Sequence, residues 1–123
     1  MPKILVVEDE KALRVLYKRD LEQDGHAVVT AADAGEGMRA LEAESPDLVV
    51  LDIRMPGVDG LDAMGRMLEK RPQVPVVLNT AFSSYKDNFL SWAADAYVIK
   101  SSDTAELRAK INELLAARRD RGN

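Results

Sequence analysis

The chain has 123 residues, no Cys and one His, and its 21 acidic side chains outnumber 17 Lys and Arg for a net charge of −4. That length holds one compact domain, and the missing Cys excludes disulfides, thiolate zinc sites and a cysteine nucleophile, while a lone His excludes a multi-histidine cage. Any metal must be oxygen-ligated. The acidic balance offers no broad basic field for nucleic acid, and the apolar start Ile4–Val7 meets Glu8-Asp9-Glu10 too early for a signal peptide or a membrane span. A soluble, cytoplasmic protein without membrane contact is expected.

In chain order, Lys3–Val7 reads as a strand and Glu10–Gln23 as a helix striped by Leu13, Leu16, Tyr17 and Leu21 and closed by Asp24-Gly25. Ala27–Ala31 is the second strand and Ala34–Glu44 the second helix, stopped by Ser45-Pro46. Asp47–Leu51 and Leu61–Lys70 form the third pair, stopped by Arg71-Pro72, and Pro75–Asn79 with Ser84–Ala93 the fourth. Ala96–Ile99 and Thr104–Arg118 complete the series, with Asp103 placed to cap the last helix and Leu107, Ile111, Leu114 and Leu115 as its stripe. Residues 1–118 then form the domain and 119–123 a short frayed tail. Runs such as Leu48-Val49-Val50-Leu51 do not alternate apolar with polar, as expected of strands covered by helices on both faces, so the class is α/β with a parallel sheet.

In such a sheet the strands end on one edge, where open sheets bind ligands. Strand one ends in Glu8-Asp9, strand three in Asp52, strand four in Thr80 and strand five in Lys100. Strand two ends in Thr30-Ala31-Ala32, which suits an edge strand outside the site. Clustered carboxylates repel one another unless a hard cation joins them, and Mg²⁺ takes oxygen ligands while keeping waters to exchange for phosphate. An Mg²⁺-dependent phosphoryl site follows, with Lys100 and Thr80 on the phosphate oxygens and the central Asp52 as nucleophile, forming an acyl phosphate.

Each residue also has an ordinary explanation taken singly. Asp9 could cap helix one, Glu8 could be a solvated charge, Thr80 a β-branched strand terminus and Lys100 a solvated strand end. Their joint appearance at successive strand ends favours the site. Asp52 is the hardest to dismiss, because it directly follows a buried strand. Competing classes are weaker. Gly35-Glu36-Gly37-Met38-Arg39-Ala40 has the form of a dinucleotide fingerprint but follows the second strand rather than the first, and Gly60 to Gly65 lacks the Lys-Ser/Thr of a phosphate loop. An aspartyl phosphatase would need a second Asp where Arg54 stands, and a plain interaction scaffold with a dead site stays open. His26 reads as a surface or packing residue.

Over Lys3 to Arg118 the sequence resembles the receiver domain of two-component response regulators, in the single-domain, chemotaxis-regulator-like form. The pieces that carry this are Ile4–Glu10, Pro46-Asp47-Leu48-Val49-Val50-Leu51-Asp52-Ile53-Arg54-Met55-Pro56-Gly57-Val58-Asp59-Gly60, Thr80-Ala81 and Ala94-Asp95-Ala96-Tyr97-Val98-Ile99-Lys100. The resemblance implies a doubly wound, flavodoxin-like, five-stranded sheet of order 2-1-3-4-5. It further implies that Asp52 accepts the phosphate, that Glu8, Asp9, Asp52 and the Arg54 carbonyl hold Mg²⁺, that Thr80 and Lys100 contact the phosphate, and that Tyr97 is an aromatic switch. The protein would be a phosphoacceptor switch rather than an enzyme, assisting its own phosphorylation and dephosphorylation. Its partner would be a sensor histidine kinase or histidine phosphotransfer protein. With no further module after residue 118, output would pass through an unknown downstream protein, through phosphorylation-linked dimerisation or through relay, without direct nucleic-acid contact.

Arg54 and Phe82 stand where this family tunes phosphate lifetime, and neither is a small polar group. Ser101-Ser102 replaces the Pro that usually follows the Lys with a cis bond before it; without Pro a cis bond costs about 3 kcal/mol. On the fourth helix Tyr85, Phe89 and Trp92 share one face, leaving Lys86 and Leu90 outward, so Lys86, Leu90 and Tyr97 form the expected partner surface.

Overall fold

The computed structural model describes residues 1–55, 58–81, 94–101 and 103–122. Chain order is β1 (Lys3–Val7), α1 (Lys11–Gln23), β2 (Ala27–Ala31), α2 (Ala34–Glu44), β3 (Leu48–Leu51), β4 (Arg54–Met55), β5 (Val58–Asp59), α3 (Gly60–Lys70), β6 (Val76–Thr80), β7 (Ala96–Ile99) and α4 (Ala105–Gly122). The main sheet has the order β2-β1-β3-β6-β7 and every pair in it is parallel. Counting only its five strands, that is the expected 2-1-3-4-5 of a flavodoxin-like fold. The expected fourth helix, Ser84–Ala93, with Phe82, Tyr85, Lys86, Phe89, Leu90 and Trp92, lies outside the described residues.

The period of two in a strand explains why β1 is apolar from Ile4 to Val7. Leu5 and Val7 pack with Val49, Leu51, Val76 and Leu78 under Leu41 of α2 and Leu61, Met64 and Met67 of α3. Ile4 and Val6 point the other way, with Leu48, Val50 and Val77, under Tyr17 and Leu21 of α1 and Leu107 and Ile111 of α4. The helices therefore cover both faces, and the strands are apolar on both. Fully burying a side chain of this size contributes roughly 1.5–3 kcal/mol.

Local chemistry sets the boundaries. Gly25 after α1 has φ +91° and Ser45 after α2 has φ 45°, both in the left-handed region that ends helices. Asp33 Oδ1 accepts the Glu36 N–H at 2.8 Å while Glu36 Oε2 accepts the Ala32 N–H at 2.7 Å, a reciprocal cap on α2. Asp103 Oδ1 takes the Ala105 N–H at 2.9 Å, as expected for the start of the last helix.

Several boundaries depart from the sequence reading; α1 begins at Lys11, α3 at Gly60 and α4 at Ala105, each one residue from its expected start. β3 begins at Leu48 because the Asp47 side chain is committed to the Lys3 N–H, at 2.8 Å. β6 begins at Val76, since Pro75 has no N–H to give the ladder, and it ends at Thr80, which pairs with Ile99 of β7. The antiparallel pair β4–β5 was not anticipated, since two residues on each side carry no periodic signal. The last helix continues through Gly122, so the segment expected as a frayed tail from 119 is helical to 122; Ala and Arg are strong helix formers and no breaker precedes Gly122.

Candidate functional site

The parallel register places the ends of β1, β3, β6 and β7 along one edge, with Val7 opposite Leu51, Leu51 opposite Leu78 and Thr80 opposite Ile99. The next residues outward are the ones with chemistry. Glu8 and Asp52 stay fixed to the sheet by their backbones, the Glu8 N–H donating to the Ala31 carbonyl at 3.0 Å and the Asp52 N–H to the Val7 carbonyl at 3.2 Å. Both are buried, at 1% and 5% exposure. From β7, the Lys100 N–H donates to the Thr80 carbonyl at 2.7 Å, which aims its side chain back across the edge.

The Lys100 ammonium bridges two carboxylates, Nζ lying 2.6 Å from Glu8 Oε1 and 2.7 Å from Asp52 Oδ2. The second Glu8 oxygen, Oε2, accepts the Glu10 N–H at 3.1 Å. Asp9, partly exposed, completes the group: one carboxylate oxygen from each of Glu8, Asp9 and Asp52 falls within a set no more than 4.8 Å across. Three carboxylates and one ammonium leave a formal charge of −2, which one divalent cation neutralises. The donors are all oxygen, and ligand oxygens around Mg²⁺ at about 2.0–2.1 Å stand roughly 3–4 Å apart, so a small rearrangement brings these three onto one ion. The expected Mg²⁺ cofactor therefore fits this donor set.

Burial pushes the Glu8 carboxyl above its ordinary pKa, the hydrogen bonds from Lys100 and the Glu10 N–H opposing but not cancelling that shift. Burial also works against the Lys100 ammonium, yet its hydrogen bonds and charge attraction with Asp52 and Glu8 together outweigh it, and its pKa is raised. Lys100 therefore stays charged, available to a dianionic group placed against Asp52.

The sequence reading placed Glu8, Asp9, Asp52, Thr80 and Lys100 at one edge, and that is where they lie. Asp9 is not the cap of α1: Glu10 occupies the N-cap and makes no side-chain capping bond. Thr80 is fully buried at the end of β6. Tyr97 is half-buried on β7, opposite Leu78, and packs against the cluster beneath α2 and α3. Arg54 lies in β4, two residues beyond Asp52, and Phe82, Lys86 and Leu90 lie outside the described residues. No peptide bond among the described residues is cis, so Lys100–Ser101 is trans.

Gly60 is shaped by this neighbourhood. Its N–H donates to the Ile53 carbonyl at 2.8 Å, and a Cβ there would overlap the Ile53 backbone, so only glycine lets α3 start directly against the residue after Asp52.

Two groups near the site were missed in the sequence. Tyr17 of α1 is buried beside Asn79 of β6, burial raising its pKa and the Asn79 side chain partly offsetting the rise. Arg14, on the first turn of α1, directs its guanidinium at the backbone of the Glu8–Asp9 turn. Tyr17 had been assigned to the apolar stripe and Arg14 lies on the polar side of the helix; a basic residue one turn into a helix that follows paired acids is the signal that could have found it. Conversely, His26 lies at the opposite end of β2, and the Gly35–Gly37 segment serves packing at the start of α2. His26 is buried, its Nε2 2.9 Å from Asn112 Oδ1, and Gly37 packs α2 against Val7 and Met67.

The sequence model of a family described as response regulator receiver domain matches residues 4–112. The transcriptional regulatory protein AfsQ1 of Streptomyces coelicolor is 37% identical over 117 residues, which cover 94% of this chain and 52% of that protein. The response regulator TrrA of Thermotoga maritima, crystallised in complex with Mg²⁺-BeF, superposes with a TM-score of 0.88 at 40% identity, covering 93% of this chain and 99% of that one. TrrA in complex with the histidine kinase ThkA superposes with a TM-score of 0.87 at 41% identity, covering 94% and 99%. The chain spans about half the length of the curated relatives it matches.

Proposed function

The chain belongs to the response regulator receiver domain family, and we propose that it receives a phosphoryl group from a histidine on a sensor kinase or phosphotransfer protein onto Asp52 and changes shape in response. The observation that carries this is the junction of Lys100, Glu8 and Asp52 beside Asp9 at the edge of the sheet. The kinase partner is supported by the complex of the similar TrrA with a histidine kinase. Receipt makes a P–O bond to the Asp52 carboxylate as the P–N bond of the phosphohistidine breaks. Bound by Glu8, Asp9, Asp52 and the Arg54 carbonyl, Mg²⁺ would neutralise charge on the phosphoryl oxygens as they approach the carboxylates. Lys100, already 2.7 Å from Asp52, shifts from the carboxylate to a phosphate oxygen. The Thr80 hydroxyl takes another oxygen. Side chains at Arg54 and Phe82 lack the small polar groups that orient water, so hydrolysis is slow and the domain assists it weakly.

The shape change follows from position. Thr80 and Tyr97 sit on neighbouring strands, Tyr97 two residues before Ile99, the partner of Thr80 in the register. Movement of the Thr80 side chain towards phosphate frees space for the Tyr97 ring to turn inward, a two-state change biased by one added charge. The surface that reports it comprises Tyr97, Lys86 and Leu90.

Output is read as that of a receiver acting on a partner protein, in the manner of single-domain chemotaxis regulators, or through a phosphorylation-linked dimer. Residues 1–118 make the switch, and 119–122 extend its last helix. The net charge of −4 supports a receiver that makes no nucleic-acid contact itself. AfsQ1 and similar relatives are named as transcriptional regulators and are about twice as long, so in a protein of that kind the same shape change would act on the attached part. No described helix is long and apolar enough to cross a membrane, which supports a cytoplasmic site of action.

Beryllofluoride with Mg²⁺, which mimics the phosphoryl group, tests the switch. Amide resonances of Thr80, Lys86, Leu90 and Tyr97 shift together, and Thr80→Ala abolishes the Tyr97 shift while beryllofluoride still binds. Shifts confined to the loop after Asp52 refute the switch and leave phosphate acceptance standing.

A further inference from the structure

Arg14 stands outside the set of groups that touch metal or phosphate, yet its contacts converge on the turn that carries two of the three clustered carboxylates. A single nitrogen, Nη1, donates to the carbonyl oxygen of Glu8 at 2.7 Å and to that of Asp9 at 2.9 Å. The Arg14 backbone N–H donates to the Glu10 carbonyl at 3.0 Å, the first hydrogen bond of α1. One residue thus fixes three consecutive carbonyls, two through its side chain and one through its main chain. Backbone carbonyls at a half-buried turn must find donors, and those of Glu8 and Asp9 find theirs in this guanidinium. The turn is also held by the Glu8 N–H, which donates to the Ala31 carbonyl at 3.0 Å, and by the Glu10 N–H, which donates to Glu8 Oε2 at 3.1 Å.

Charge alone gives the opposite expectation. A guanidinium beside a cluster that is to bind a cation repels that cation, so a chain selected only for attraction would not carry Arg here. We propose that Arg14 is a positioning residue for the carboxylates: it locks the Glu8–Glu10 turn so that Glu8 and Asp9 face the position shared with Asp52, and this gain in cation affinity exceeds the loss from its own charge. The proposal rests on the reading of the cluster as a divalent-cation site. Groups that orient metal ligands typically change affinity by about 10–100-fold.

Calorimetric titration of the full chain with MgCl₂ tests it in three forms: wild type, Arg14→Met and Arg14→Lys. Arg14→Met removes both donor and charge at nearly constant length, and affinity for Mg²⁺ falls about tenfold or more. Arg14→Lys keeps the charge and can still donate to a carbonyl, so it recovers part of the loss. In metal-free protein, hydrogen exchange at the Glu10 amide quickens in Arg14→Met while exchange in β1 and β3 stays as in wild type. Affinity in Arg14→Met equal to or tighter than wild type overturns the proposal, as does unchanged exchange at Glu10. Wild type that binds no Mg²⁺ instead overturns the reading of the cluster as a cation site, while the exchange measurement still decides whether Arg14 braces the turn.

Discussion

Replacing Lys100 with Met removes the ammonium shared by two buried carboxylates while keeping a side chain of similar length. In the wild type, Nζ sits 2.6 and 2.7 Å from Glu8 and Asp52, whose side chains are 2% and 5% exposed. Removing one partner of a buried ion pair costs roughly 3–5 kcal/mol. A ceiling comes from protonation: taking a carboxyl of ordinary pKa about 4.3 to its neutral form at pH 7 costs about 3.7 kcal/mol, and no chain need suffer more than that to neutralise Glu8. The two routes agree on a loss of roughly 3–4 kcal/mol at pH 7 without metal, or a fall in Tm of about 12 °C for a domain of this size. The sign with pH is fixed by Glu8. Its folded pKa, already raised by burial, rises further in the variant, so the penalty is present at neutral pH and fades as pH falls towards the folded value. By the same arithmetic the ceiling at pH 5 is about 1 kcal/mol. Mg²⁺ at about one hundred times its Kd restores roughly 2.7 kcal/mol by binding the folded form. Thermal unfolding in EDTA at pH 7 and pH 5, then in Mg²⁺, checks all three. A variant within two or so degrees of wild type at pH 7 in EDTA, with no dependence on pH, would refute the shared-ammonium reasoning.

Asp9→Ala lowers Mg²⁺ affinity by about tenfold or more, since it removes a ligand rather than an outer partner, and raises metal-free stability by about 1 kcal/mol through relief of carboxylate repulsion; titration calorimetry and thermal melts report the two signs separately. Gly60→Ala drives a methyl group into the Ile53 backbone and destabilises by about 1–3 kcal/mol, with weaker Mg²⁺ binding as the main chain beside Asp52 shifts; a denaturant melt matching wild type would contradict the contact. The Arg108 guanidinium bonds Asp24 through two nitrogens, at 2.6 and 3.0 Å, and holds its carboxyl below the ordinary pKa. That bond stabilises the fold above the unfolded pKa of about 3.9 and is lost as pH falls through the lower folded value, so Asp24→Asn lowers Tm at pH 7 and converges with wild type only once pH has fallen below that folded value.

Much of the fold was legible because both faces of the sheet are covered. Val-, Leu- and Ile-rich runs such as Ile4–Val7 and Leu48–Leu51 mark buried parallel strands without needing partners to be known, and Asp24-Gly25 and Ser45-Pro46 mark helix ends through backbone chemistry. The site was legible because a parallel sheet delivers all its strand ends to one edge, so Glu8, Asp52, Thr80 and Lys100 could be assembled from strand assignments alone. What escaped depends on contacts between elements. The bridge from Lys100 to Glu8 as well as Asp52 and the meeting of Tyr17 with Asn79 join residues whose separation in sequence says nothing about their meeting, whereas Arg14, five and six residues from the carbonyls it reaches, was passed over because it lies on the polar side of its helix. The β4–β5 pair escaped for another reason, since two residues per strand fall below the length at which alternation can be recognised. The length of α4 was underestimated because a charged Arg-rich end resembles a tail as much as a helix terminus.

Intact-mass analysis after incubation with acetyl phosphate and Mg²⁺ tests most directly whether Asp52 is the phosphoacceptor. Wild type should gain the mass of one phosphoryl group, lose that gain when EDTA replaces Mg²⁺, and show no gain in Asp52→Asn, whose unfolding curve confirms that it is folded. An Asp52→Asn protein that labels as fully as wild type, or a folded wild type that never labels, would contradict the assignment.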